Sequence, residues 1–142
     1  MKFVLTVATA VAVLAALVIP AAPASANSQH STCSSVGPDW AKRCIALEFS
    51  GASLRAIGSL NDLAGNGTVA VFAFVQYKYT SCGDCGWSTR PDTSPRLEAR
   101  GFVLTATPWM GQVPKNSYRA VLNWNYRNGQ NSGRIVSPIV NV

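Results

Sequence analysis

The sequence predicts an all-β fold: a single antiparallel β-sandwich of about seven strands behind a cleaved leader. Three observations carry this expectation. Helical periodicity is absent after residue 35, and period-two alternation in segments rich in Val, Ile, Thr and aromatic residues takes its place. Turn dipeptides such as Asn66-Gly67 and Asn128-Gly129 punctuate those segments. No internal repeat or low-complexity linker divides the chain, so one domain is expected.

The leader comes first. Met1-Lys2 is a short basic start, and Phe3 to Ile19 follow without a charge. Pro20 ends the apolar run, and "AAPASA" places small residues at Ala24 and Ala26. This is the order of a secretory signal peptide, with cleavage expected after Ala26. The uncharged run falls short of the ~20 residues that span a bilayer, and no Lys/Arg cluster follows Pro20 to retain it. The expected product is therefore exported and extracellular, without a membrane anchor, and able to stay with the cell wall. Loss of residues 1–26 from the 142 leaves 116, one domain's length, which buries roughly 65% of its unfolded surface.

The mature segments then read in order. Residues 27–40 are polar and irregular, a flexible segment fastened at Cys33; residues 41–142 form the sandwich. In "RCIALEFS" Ile45, Leu47 and Phe49 share one face, with Cys44, Ala46 and Glu48 on the other. "ASLRAIGSL" alternates more weakly through Leu54, Ala56 and Leu60. "TVAVFAFVQYKYT" is almost continuously apolar from Val69 to Val75, as in a central strand covered on both faces at one end. A polar loop runs from about Ser81 to Pro95. "RLEARGFVLTAT" is the next strand, and "WMGQV" a short piece between Pro108 and Pro114. "SYRAVLNWNYRNG" alternates most cleanly: Tyr118, Ala120, Leu122, Trp124 and Tyr126 face one side, the core. In the closing "GRIVSPIVNV", Pro138 belongs at an edge or a bulge because it has no N–H for a ladder.

"NSYRAVLNW" resembles the penultimate strand of immunoglobulin-like sandwiches, which opens with a Tyr after a polar turn. The resemblance implies an immunoglobulin-like fold in which the Tyr118 hydroxyl bonds the backbone upstream, a tyrosine corner. Ala120 stands where antibody domains carry a Cys, so their inter-sheet disulfide is missing. In length and layout, and in its "AAPASA" cleavage region, the chain is also similar to small exported actinobacterial sandwich proteins, mostly of unassigned function. That likeness implies no catalytic residue.

The four cysteines, Cys33, Cys44, Cys82 and Cys85, all lie in the exported part, and an even count there reads as two disulfides. Of three pairings, Cys33–Cys44 with Cys82–Cys85 is the most local. Loop-closure entropy assigns about 3 kcal/mol to the first and about 2 kcal/mol to the second. The C-x-x-C spacing of Cys82 and Cys85 also serves redox centres and zinc sites. A redox thiolate needs a helix N-terminus, and "GWSTRPDTSP" after Cys85 starts none; Asp84 would further disfavour a thiolate. A zinc site needs a second close pair, but ten residues separate Cys33 from Cys44. The expectation is a disulfide-braced loop, with no metal and no cofactor.

Enzymatic chemistry finds little support. The only histidine, His30, lies in the segment expected to be flexible, which leaves Ser–His and Cys–His machinery without a base. Of the carboxylates Asp39, Glu48, Asp62, Asp84, Asp92 and Glu98, Asp84 and Asp92 share a loop and either could face Glu98, but nothing in the sequence defines a cleft to hold such a pair. The net charge of +6 falls to +5 with Lys2 and is scattered, only Lys42-Arg43 being adjacent; this favours anionic extracellular partners. Nucleic-acid binding needs clustered basic residues with interleaved aromatics, which are absent. Trp40, Trp87 and Trp109 sit beside turn signals, and a loop Trp offers rigid apolar area to a sugar or a protein. Asn66-Gly67-Thr68 matches a glycosylation sequon but reads as a hairpin turn.

The expected function is a non-enzymatic binding module. Trp87 and Arg90, with Asp84, would contact an anionic cell-wall polymer, a polysaccharide or a secreted protein. Inhibition of a secreted hydrolase by the braced loop is the alternative. An enzyme using thiol–disulfide exchange or paired carboxylates is a further one.

Overall fold

The structure, a computed structural model, describes residues 28–35, 41–62, 67–111, 114–127 and 132–142. The leader, Asp39, Trp40, Asn66 and the Asn128-Gly129 turn lie outside the described residues.

Every regular element among the described residues is a strand, and the strands form two antiparallel sheets. No helix there is long and apolar enough to cross a membrane. The four-stranded sheet runs β1 (Ser28–Ser34), β2 (Lys42–Ser50), β3 (Ser53–Asn61) and β7 (Phe102–Ala106). The six-stranded sheet is centred on β4 (Val69–Lys78) and β8 (Ser117–Tyr126). Beside β4 lie β5 (Ser88–Thr89) and β6 (Leu97–Ala99); beside β8 lie β9 (Ser132–Val136) and β10 (Val140–Asn141).

The alternation expected from the sequence fills the space between the sheets. Ile45, Leu47, Leu54, Ala56 and Leu60 meet Val69, Val71, Ala73, Val75, Tyr118, Ala120 and Leu122, and all of them are inaccessible to solvent. Each such aliphatic side chain contributes roughly 1.5–3 kcal/mol by leaving water. Tyr118 is a tyrosine corner: its hydroxyl donates to the Pro114 carbonyl at 2.8 Å. Trp124 packs against the core with the buried Arg43 guanidinium 4.5 Å over its ring. Gly133 lies directly opposite Trp124, and a Cβ there would come within 2.5 Å of the indole.

Three segments depart from expectation. The supposedly irregular stretch after residue 27 contains β1, in register with β2 so that Cys33 and Cys44 are direct partners and disulfide-bonded. Its inward positions, His30, Thr32 and Ser34, are polar, so no hydrophobic alternation announced it; His30 packs edge-on against Phe49 at 6.1 Å. The single strand expected over 96–107 breaks at Gly101, whose φ of 79° lies in the left-handed region. There the chain leaves the six-stranded sheet as β6 and enters the four-stranded one as β7. Of "WMGQV", whose Gln112 and Val113 lie outside the described residues, Met110 bridges to Leu54.

Prolines shape three of the four sheet edges in one way. Ser94-Pro95, Thr107-Pro108 and Ser137-Pro138 each follow a stretch paired with a central strand. In each, the Ser or Thr N–H donates to the carbonyl of a buried alanine: Ala73 at 2.8 Å, Ala56 at 2.9 Å and Ala120 at 2.9 Å. The hydroxyl oxygen then accepts the same alanine's N–H, at 2.7, 3.0 and 2.9 Å. A residue before proline is held extended, and its side chain here does what its own carbonyl does in a regular ladder. Pairing resumes three residues on, Leu97 with Val71, Met110 with Leu54 and Val140 with Tyr118. Two residues therefore oppose one at each site, a β-bulge: Pro95-Arg96 against Phe72, Pro108-Trp109 against Arg55, and Pro138-Ile139 against Arg119.

Two outcomes follow. Ser137→Ala leaves the Ala120 N–H buried without its acceptor, so denaturant unfolding should show a loss of about 1–3 kcal/mol, which Ser137→Thr restores. Burial, ahead of the charge on Tyr77, raises the Tyr118 pKa above the ordinary tyrosine value of 10.0, although the Asn116 side chain and the Arg90 charge oppose it. A proton held more tightly in the folded state stabilises below that value, and the contribution is lost as pH rises through the folded pKa. Stability measured against pH should therefore fall above about pH 10, less steeply in Tyr118→Phe.

Candidate functional site

The outward face of the six-stranded sheet is where side chains expected to bind are found. Pairing of Gln76 with Arg119 and of Lys78 with Ser117 sets these four residues outward, because their neighbours Val75, Tyr77, Tyr118 and Ala120 face the core. β5 continues the row with Thr89 opposite Gln76.

The loop from Tyr79 to Trp87 folds back over the end of this face. Cys82 and Cys85 are disulfide-bonded as the sequence predicts, and among the described residues no cysteine is free. The Cys82 N–H donates to the Tyr79 carbonyl at 3.2 Å, and Lys78 Nζ reaches the Gly83 carbonyl at 2.8 Å. The loop is thus tied to the strand it leaves.

Trp87 emerges from this brace half-buried, with the Arg119 guanidinium 4.1 Å above its ring. Arg119 is itself fixed: its Nε–H donates to Gln76 Oε1 at 2.9 Å, and Gln76 Nε2 donates to Thr89 Oγ1 at 3.4 Å. Partial burial, and then the positive charge of Arg134, pull the Arg119 pKa down from its ordinary value.

Beside this stack lies a cleft of about 470 Å³. Trp87, Tyr79 and Ile139 give it apolar surface, Lys78, Ser117 and Asn141 line it with polar groups, and Cys82 belongs to its wall. Tyr79 and Ile139 are more than half exposed. Tyr79 meets Tyr77 edge-on at 5.5 Å, and Ser117 Oγ and Asn141 Oδ1 are 2.6 Å apart. Sequence reasoning singled out Trp87 but not the others. Ile139 is there because the bulge after Ser137 turns it outward against the strict alternation of a strand.

Of the residues grouped with Trp87, Arg90 and Asp84 go elsewhere. The Arg90 N–H donates to the carbonyl of core-facing Val75, and its charge acts on buried Tyr118. Its Nε is buried without a hydrogen-bond partner. Asp84 is exposed at the loop tip, and neither residue lines the cleft. Glu48 pairs with Arg55 at 2.7 Å, and Glu98 receives the Arg127 guanidinium. Among the described residues no three His, Cys, Asp or Glu side chains gather as a metal site. Trp109 lies on the other sheet, with Arg55 4.4 Å over its ring.

No protein-family model, curated protein or solved structure matches the chain.

The brace can be tested directly. Cys82→Ser/Cys85→Ser should lower global stability by about 2 kcal/mol and expose residues 80–87 to limited proteolysis, with the Cys33–Cys44 bond retained. Unchanged resistance in that stretch would show that Lys78 and the backbone bond hold the loop unaided.

Proposed function

We propose that the chain is an exported, non-enzymatic binding module that holds an extracellular polysaccharide in the cleft beside loop 80–95. The observation that carries this reading is the convergence of Trp87, Tyr79 and Ile139 on a cleft whose loop is already fixed by a disulfide. A preformed aromatic wall gives up little conformational freedom on binding, and the hydroxyl, amide and ammonium groups of Ser117, Asn141 and Lys78 suit a hydroxyl-rich ligand. The leader-like residues 1–26 and the two disulfides support an extracellular setting. We read the sandwich as immunoglobulin-like, on the strength of the tyrosine corner and the passage of one strand from sheet to sheet.

Sedimentation with insoluble cell-wall polysaccharide tests the reading. Trp87→Ala should weaken retention by about tenfold or more at an unchanged melting temperature. A variant retained as well as the parent would remove the cleft from the function.

A further inference from the structure

A second concavity lies on the same face, beyond the Trp87–Arg119 stack. It is an open groove of about 370 Å³ lined by Phe72, Arg96, Asn123, Asn125, Ser132 and Arg134. Strand register explains its composition. Phe72 is opposite Asn123, Asn123 is opposite Arg134, and the bulge at Pro95 brings Arg96 against Phe72 from the other edge. One row across the bulged edge and three strands therefore reads Arg96, Phe72, Asn123, Arg134. The neighbouring row holds Glu98, Ala70, Asn125 and Ser132; Glu98 is taken up by Arg127, and the small Ala70 side chain leaves the floor low.

The charge of this row is unbalanced. Glu98, which borders it, is held by Arg127, and Glu48 pairs with Arg55 on the other sheet. Arg96 is exposed, and the Arg134 Nε–H donates to Asn123 Oδ1 at 3.1 Å, which leaves the outer edge of that guanidinium available. Arg119 adds a third positive charge on the same face, near enough to Arg134 for the two to repel. Strands stand about 4.8 Å apart, so three intervals set the Arg96 and Arg134 backbones about 14 Å apart. That separation lets the two forks engage two different acidic groups, with an aromatic ring and an amide between them.

We propose that this groove binds a carboxylated polysaccharide, its uronate groups held by Arg96 and Arg134 and a sugar ring resting on Phe72. Guanidinium groups match carboxylates in a two-pronged geometry, the Asn123, Asn125 and Ser132 side chains suit sugar hydroxyls, and an aromatic face suits the apolar side of a pyranose. The ring selects among anionic polymers: a linear phosphate chain has nothing to place on Phe72, whereas a uronate carries ring and charge in one unit. The groove is open, as a polymer needs in order to continue past its bound residues. The site is separate from the loop cleft and does not depend on it.

Affinity electrophoresis of the purified protein through gels containing polygalacturonate tests this, with dextran and inorganic polyphosphate as comparisons. The parent should be retarded by polygalacturonate and not by dextran, and less so as salt rises. Arg96→Gln/Arg134→Gln should weaken retardation by about tenfold or more. Lys42→Gln/Lys115→Gln, which removes the same charge from exposed positions elsewhere, should behave as the parent. Absence of retardation by polygalacturonate, or equal retardation by polyphosphate, overturns the proposal. An equal loss in the lysine variant would reduce it to bulk charge, and undiminished retardation of Arg96→Gln/Arg134→Gln would place the ligand elsewhere; either result also overturns it.

Discussion

A β-sandwich must do something with its edges, whose unpaired N–H and C=O groups invite other strands. This fold depends on how that is done. Three of its four edges carry a Ser-Pro or Thr-Pro bulge, and the fourth, β1, is held to β2 by Cys33–Cys44. Each bulge keeps a buried alanine fully bonded while interrupting the regular ladder. In two of them the hydroxyl also donates onward, to the carbonyl of the following proline at 3.1 and 3.0 Å. Thr105 of β7 donates to the Pro95 carbonyl as well, at 3.2 Å, which ties the edges of the two sheets together where the chain crosses between them.

The same device decides what the surface displays. Strict alternation would send successive residues in and out; an extra residue interrupts the count and leaves one side chain outside it. Those side chains are Arg96, Trp109 and Ile139. Arg96 belongs to the basic groove, Ile139 to the loop cleft, and Trp109 stacks with Arg55 on the opposite sheet. Both concavities of the six-stranded sheet therefore take one wall from the central β4–β8 pair and one from a bulged edge. The Trp87–Arg119 stack separates them, held by the line of bonds from Arg119 through Gln76 to Thr89.

Much of the architecture was legible in the sequence because it rests on period-two burial. The inward series from Tyr118 to Tyr126, the edge position of Pro138 and both disulfides follow from alternation, turn chemistry and local cysteine spacing, and the Tyr118 hydroxyl bond was implied by the resemblance of "NSYRAVLNW" to immunoglobulin-like strands. β1 was hidden because its inward residues are polar and its register is imposed by a disulfide and a neighbour. The break at Gly101 was hidden because either half of 96–107 alternates acceptably, and only the left-handed turn reveals the change of sheet. At the candidate site, Trp87 was visible as a loop aromatic. Arg90 lies apart from it, since residues three apart along an edge strand face opposite sides. Phe72, Asn123 and Arg134 come from three strands and Arg96 from a bulge, and their row exists only once register is known. The three Ser/Thr-Pro dipeptides were in plain view, but each looks like an ordinary strand end until its partner alanine is found.

The bulges also separate two demands that usually compete in a small domain. The hydroxyl and the proline of each dipeptide serve the ladder, whereas the residue after the proline makes no ladder bond that fixes its identity. Its side chain can change in size or charge without disturbing the count of inward residues on either flank. Positions 96, 109 and 139 thus form a natural set of interchangeable fittings on a constant frame. Chains sharing this frame but serving different ligands would be expected to differ there first, while the preceding Ser or Thr and the facing alanine stay the same.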